Sequence, residues 1–390
     1  MLVDTASWGL GVPIYNETKW RGFEYVNVTE AGGELLPCDS PQCVGACQQS
    51  RDAISSNYTC GPHGGLCVRD GDKSICGFKW KYGDNSTASG VLVRSDIVLG
   101  GAKVSSVFGG ITSVQGAFYE APKGGGIMGM SFGNYTQCTD IFPTCFNPVL
   151  DAMVEGKGLE DRWALCTYDR AGKLVLGGGD DQLYEGPLKQ VRLLPPFRGY
   201  HVDILEATLG GEDILGDRSR FQGKPSPFRG LRDSDNMTMA NGNLRGVTTP
   251  IKGAQAVLDS GTAWLMLPSE IYAMFNASLI RAAPELNDPM DIFRTGLARM
   301  PNETLAKLPD LKFRLESNVT LSFTPEDYLP QYRDIRGIRP VVKRLLTVLP
   351  SNHFILGQIA LNKLYLEFDR TNKVLGIAPA RAGCKPADAA

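Results

Sequence analysis

Two short stretches, far apart in a 390-residue chain, carry nearly the same message. Leu2 to Pro13 reads LVDTASWGLGVP, and Ala256 to Pro268 reads AVLDSGTAWLMLP. Each is an apolar run that ejects an aspartate, adds a hydroxyl residue, and returns to apolar residues ending in proline. About a hundred residues on, each copy is followed by two apolar residues and a glycine, Ile127-Met128-Gly129 and Ile355-Leu356-Gly357. One such tetrapeptide arises readily by chance, but two ordered pairs do not. A duplicated unit of this kind implies two lobes related by a pseudo-two-fold axis, each supplying one aspartate.

The rest of the chain fits a mostly β fold with a few short helices. Gly 45 and Pro 24 provide many turns. A net charge of −2 gives no field for nucleic acid or anionic lipid. No apolar run has membrane-spanning length. The basic run Arg333, Arg336, Arg339, Lys343 and Arg344 reads as a solvated face. Ten cysteines are present: Cys38, Cys43, Cys47, Cys60, Cys67, Cys76, Cys138, Cys145, Cys166 and Cys384. Paired C-x2-C knuckles and nearby histidines, which zinc would favour, are missing, so disulfides in an oxidising compartment are expected. Neither a metal nor a cofactor is expected. Nine N-x-S/T sequons agree, at Asn16, Asn27, Asn57, Asn85, Asn134, Asn236, Asn276, Asn302 and Asn318. They point to a glycoprotein that is secreted or vacuolar/lysosomal. Met1 runs straight into a strand with no signal peptide before it, so an internal or mis-called start is expected.

With these motifs in order, the chain resembles the pepsin-like aspartic proteases from Leu2 to about Cys384. Leu2–Ser7 and Val257–Thr262 match the family's two aspartate loops, and the two later apolar-apolar-Gly elements match as well. Tyr82-Gly83 matches a hairpin flap at about 79–92. The tail LNKLYLEFDRTNKVLGIAPA matches the family's last strands. The flap YGDNSTASG and the cysteine-rich insertion 38–76 ahead of it most resemble the plant-type, nepenthesin-like branch. That resemblance implies a bilobal fold with an N-terminal lobe over 1–180 and a C-terminal lobe over 181–390. The polar segment 217–253 reads as a surface insertion. The resemblance also implies a disulfide between Cys166 and Cys384.

What the resemblance implies for chemistry is an aspartic endopeptidase acting on polypeptides, with Asp4 and Asp259 as a catalytic dyad. Two carboxylates a few ångströms apart cannot both ionise cheaply, so such a pair holds one proton. The ionised member takes a proton from an attacking water while the protonated one hydrogen-bonds the peptide carbonyl. By the same carry-over, Thr5 and Ser260 tie the two loops together. Ser7 and Thr262 donate to the outer carboxylate oxygens, and Gly261 belongs to the second loop. Tyr82 and Gly83 close over substrate. A monomer is expected, with no nucleic acid and no transmembrane segment.

The chain departs from the family at several points. Ala6 stands where the family has glycine, and Gly11 where it has a flap-supporting tryptophan. Gly124 and Gly125 replace bulkier residues, and Asn85 puts a sequon at the flap tip. The family's first N-terminal strand is missing, as is the usual cysteine pair of the second lobe. Ala6 still supplies a backbone N–H; its methyl matters only where φ is positive or space is absent. Two rival readings follow. Gly129-Met130-Ser131-Phe132-Gly133 spells the G-x-S-x-G of a serine hydrolase, with His201 or His353 as base. A cysteine- and proline-rich loop after Ser131, rather than a helix, argues against it. The other rival keeps the two-lobed fold but acts as a secreted binding or inhibitor protein.

Overall fold

The computed structural model describes residues 1–14, 27–28, 30–47, 58–83, 85–116, 126–132, 144–169, 171–195, 197, 199–216, 254–286, 292–334 and 341–385. Segment 217–253, Gly124, Gly125, Cys138, Arg336, Arg339 and the sequons at Asn16, Asn57, Asn134 and Asn236 lie outside the described residues. The chain divides into two compact units, both built mainly of strands. One comprises Met1–Trp163, Val175–Gly179 and Pro196–Gly199. The other comprises Ala164–Leu174, Asp180–Pro195 and Tyr200–Ala390.

In the first unit a nine-stranded sheet runs Leu2–Asp4, Ile127–Gly129, Leu10–Pro13, Ala102–Gln115, Thr87–Leu99, Lys73–Lys81, Leu66–Asp70 and Tyr58–Cys60. Glu34–Leu35 pairs with Thr87–Leu99 off this path. The long hairpin from Thr87 to Gln115 turns on Gly100-Gly101, both at positive φ, a backbone conformation that strains other residues and that glycine adopts freely. Its inner face packs Trp8, Phe78, Trp80, Leu92, Ile111 and Phe146 into one core. Three disulfides, Cys38–Cys67, Cys43–Cys76 and Cys47–Cys60, staple the segment ahead of the hairpin. The sulfurs of Cys38, Cys43 and Cys67 lie close together, but each is already in a disulfide and offers no thiolate to a metal.

The second unit contains a five-stranded sheet ordered His201–Ile204, Ala254–Leu258, Phe354–Leu356, Leu265–Pro268 and Val348–Ser351. Beyond Pro268, the helix Ser269–Ala282 buries Ile271, Phe275, Ser278 and Leu279. The spacing also predicts Met274 on that face, yet Met274 is exposed. At 3.6 residues per turn the stripe centres on Ile271, Phe275 and Ser278, which turns Met274 to solvent. A second sheet pairs Leu364–Asp369 with Val374–Pro379. Arg162–Tyr168 lies beside Leu364–Asp369 in that sheet, and the Cys166–Cys384 disulfide fastens the tail to it.

The solvated-face reading of the basic run fails at Arg344, which is only 7% exposed. It lies in Val341–Leu345, at the point where that strand is flanked on both sides, by Ala298 and by Gln331, and its Nη1 donates to the Leu329 carbonyl at 3.2 Å. Among the described residues, no helix is long and apolar enough to cross a membrane.

Candidate active site

Asp4 ends a strand and Asp259 directly follows one, and the two strands pair in the same way. Leu2–Asp4 runs parallel to Ile127–Gly129, with Asp4 opposite Gly129. Ile127–Gly129 is antiparallel on its other side to Leu10–Pro13. In the second unit Ala254–Leu258 runs parallel to Phe354–Leu356, which is antiparallel to Leu265–Pro268. Each apolar-apolar-Gly strand therefore sits between the two arms of an aspartate loop.

That geometry explains the glycine closing each motif. A β-carbon on Gly129 would lie 2.5 Å from the backbone nitrogen and carbonyl carbon of Trp8. One on Gly357 would lie 2.0 Å from the Trp264 carbonyl oxygen and 2.5 Å from that of Thr262. The loop crosses so close that only glycine fits. Backbone bonds then hold it there. The Met130 N–H donates to the Asp4 carbonyl at 2.8 Å, and the Gln358 N–H donates to that of Thr262 at 2.7 Å.

Inside the loops the two carboxylates receive a matching bond. The Ala6 N–H donates to Asp4 Oδ1 at 2.9 Å, and the Gly261 N–H donates to Asp259 Oδ1 at 2.9 Å. Among the described non-glycine residues at positive φ, Ala6 does not figure. Its methyl is thus accommodated without backbone strain, and the donor that the loop needs is kept. Asp4 is buried, at 5% exposure, as are Thr5 and Ser260. The Ser260 carbonyl accepts from Gln358 Nε2 at 2.8 Å. Asp259 is half-buried.

The loops differ at the next hydroxyl. Thr262 Oγ1 donates to Asp259 Oδ2 at 2.6 Å, and its N–H donates to Oδ1 at 3.1 Å. Ser7 departs from expectation, because its Oγ is buried without a hydrogen-bond partner and does not donate to Asp4. Threonine's β-branch restricts χ1 and holds its hydroxyl in place, a constraint that serine lacks.

Tyr82 follows the strand Lys73–Lys81, which pairs with Thr87–Leu99 in the register Lys81 opposite Thr87. The Tyr82 N–H donates to Ser86 and the Asn85 N–H to Tyr82, at 2.9 and 3.0 Å, closing the turn. Asn85 occupies it at φ 65° and is exposed, a conformation that asparagine tolerates. A β-carbon on Gly83 would meet nothing within 4 Å. Tyr82 is half-buried against the aromatic core.

Trp80 in that core is a residue that sequence reasoning missed. Its ring lies 6.1 Å from Trp8, 4.4 Å from Phe78 and 5.9 Å from Phe146. The available signal was its position two residues before Tyr82, on the same face of the strand. Ser131, the serine of the rival hydrolase motif, is fully buried, with its N–H bonded to the Ser7 carbonyl. It is not a nucleophile presented to substrate.

Comparison with known proteins agrees with this architecture. The model of the family "Eukaryotic aspartyl protease" matches residues 71–223 and 232–380. Renin-2 of Mus musculus is 23% identical over 318 residues, covering 78% of this chain and 65% of the relative. The acid protease of Saccharomycopsis fibuligera is 24% identical over 317 residues, covering 79% and 68%. Cathepsin D of Homo sapiens is 24% identical over 295 residues, covering 72% and 58%. This chain thus spans slightly under two thirds of renin-2. The family match begins downstream of the Asp4 loop, whose likeness to the Asp259 loop is carried by its geometry. With well over half its length matched, the chain belongs to the eukaryotic aspartyl protease family.

Proposed function

We propose that this chain is an aspartic endopeptidase that hydrolyses polypeptides at acid pH, with Asp4 and Asp259 as its catalytic carboxylates. One observation carries the reading. Each aspartate stands at the end of, or directly after, a strand paired in parallel with an apolar-apolar-Gly element, and each accepts at Oδ1 the N–H two residues on, at 2.9 Å. Two unrelated loops have no reason to share that arrangement.

The chemistry needs one carboxylate from each loop. The ionised one accepts a proton from water as the water oxygen bonds to the peptide carbonyl carbon. The protonated one donates to the carbonyl oxygen as charge develops there. As the C–N bond breaks, the carboxylate that took the proton from water gives it to the leaving nitrogen, and a hydroxyl of the tetrahedral carbon returns its proton to the other carboxylate as the product carbonyl forms. Thr262 orients Asp259 by its two donors. Thr5 and Ser260 steady the loops, and Tyr82 and Gly83 belong to a flap that covers the bound peptide. Within the family, the three disulfides ahead of the flap hairpin and the Cys166–Cys384 bond favour the plant-type branch. They also favour a secreted or vacuolar/lysosomal enzyme, since such bonds persist in oxidising compartments.

The test is cleavage of a denatured protein at acid pH, with and without an inhibitor that mimics the tetrahedral intermediate, beside Asp259→Asn. Inhibitor-sensitive cleavage lost in the variant supports the reading. A well-folded protein that cleaves nothing and binds no inhibitor would leave a binding homologue in its place.

A further inference from the structure

The second unit contains an open cavity of about 660 Å³ lined by Asn302, Leu305, Ala306, Glu326, Pro330, Gln331 and Arg344. Its volume falls within the roughly 300–1,000 Å³ of small-ligand sites. Nothing in the proposed peptidase chemistry uses it. The lining has a definite character. Leu305 and Arg344 are buried, at 4% and 7% exposure, and Leu305, Ala306 and Pro330 give an apolar wall. Arg344 spends one donor on the Leu329 carbonyl, and a guanidinium carries five. Glu326 and Gln331 supply acceptors, and Gln331 supplies donors as well. One positive and one negative side chain cancel, so the site suits a neutral ligand with hydroxyls, an amide and an apolar face rather than an ion.

Asn302 on the rim begins the sequon Asn302-Glu303-Thr304 and is exposed at the first position of the short helix Asn302–Leu305. The other described sequons are less well placed for it. Asn27 Oδ1 accepts the Glu30 N–H at 3.3 Å, Asn276 Oδ1 is buried, and neither Asn85 nor Asn318 lines this cavity.

We propose that Asn302 carries an N-linked glycan whose first N-acetylhexosamine lies in this cavity. Its acetamido carbonyl then accepts from Arg344, its hydroxyls meet Glu326 and Gln331, and its apolar ring face covers Leu305 and Pro330. In the transfer, Asn302 Nδ2 bonds to C1 of the sugar of a lipid-diphosphate-linked oligosaccharide. The C1–oxygen bond to phosphate breaks, the lipid diphosphate leaves, and Nδ2 gives one proton to a base of the transferase. Thr304 sets the timing. In the folded chain it is 5% exposed and its Oγ1 donates to Glu285 Oε1 at 3.0 Å, so the sequon is read before that bond forms.

The experiment uses the full chain secreted from a eukaryotic host, with Asn318→Gln as a control sequon and Asn302→Gln as the variant. Peptide mass after amidase treatment in heavy-oxygen water reads occupancy at position 302. Hydrogen exchange at 326–331 and the amidase rate on native against denatured protein read the seat. The expected result is occupancy at Asn302, slow release from native protein, and faster exchange at 326–331 in Asn302→Gln but not in Asn318→Gln. An unmodified Asn302 overturns the proposal. So does a glycan released equally fast from native and denatured protein, with exchange at 326–331 unchanged. Peptidase activity enters neither readout, so failure here is separable from failure of the peptidase reading.

Discussion

The indole of Trp80 fills the space beside Gly11, where a β-carbon would come within 2.8 Å of its Cζ3. Gly9 and Gly109 complete the shelf, with β-carbons that would meet the same ring at 2.7 and 2.9 Å. Gly11 and Gly109 are direct partners in the sheet. Three positions without side chains thus cradle one large ring beneath Tyr82. Gly11→Val therefore overpacks the core and costs about 1–3 kcal/mol, read by urea unfolding. Gly83→Ala, which meets open space at an ordinary φ, does not lower the midpoint and raises it slightly by reducing the freedom of the unfolded chain. Equal stability of the two variants would remove the shelf as an explanation for Gly11.

Ala6 is predicted to be functionally neutral. Ala6→Gly keeps the N–H to Asp4 Oδ1 and changes kcat/KM little, while added backbone freedom costs about 0.5–1 kcal/mol of stability. Ala6→Pro removes the donor and abolishes cleavage. A large gain of activity in Ala6→Gly would show that the methyl obstructs the loop.

The unequal hydroxyls predict unequal variants. Thr262→Val deletes the 2.6 Å bond to Asp259 Oδ2, and hydrogen bonds to charged groups are worth about 1.5–3 kcal/mol. Its kcat/KM accordingly falls about tenfold or more. Ser7→Ala removes a buried hydroxyl that has no partner, so its effect is small. Steady-state kinetics on one peptide substrate decides, and a larger loss in Ser7→Ala reverses the assignment.

Burial lowers the His353 pKa below its ordinary value, partly offset by a hydrogen bond that the imidazole donates to the Asn352 backbone. The folded state therefore holds this imidazole neutral more firmly than the unfolded chain does. The associated stability is fully present above the unfolded value of about 6.5 and is lost as pH falls through the lowered folded one. In His353→Gln the midpoint temperature declines less steeply from neutral into acid. Parallel profiles for the two proteins would show that His353 plays no part in acid sensitivity.

The Cys166–Cys384 bond closes a sequence separation of 218 residues, and removing a native disulfide typically costs about 2–5 kcal/mol. Cys384→Ala is expected to unfold at lower denaturant, first in the tail strands Leu364–Asp369 and Val374–Pro379. Hydrogen exchange across those strands shows whether the loss starts there.

Much of this was legible in the chain itself. Local chemistry determines that LVDTAS and VLDSGT each form a strand and a loop, that Gly129 and Gly357 permit a close crossing, and that Pro268 precedes a helix. Repetition of the pattern revealed two units and one aspartate in each. What residue types could not give was the surroundings of each side chain. Whether Ala6 is tolerated depends on a φ angle, whether Ser7 bonds its aspartate depends on a rotamer, and whether Gly11 leaves a gap depends on a tryptophan from another strand. Arg344 looked like surface because its neighbours in sequence are charged, yet strands from elsewhere in the chain flank it on both sides, at Ala298 and Gln331. Periodicity and turn chemistry are properties of neighbours along the chain, so sequence determined the loops. Packing joins residues distant along it, so only the tertiary structure decided what fills the space around them.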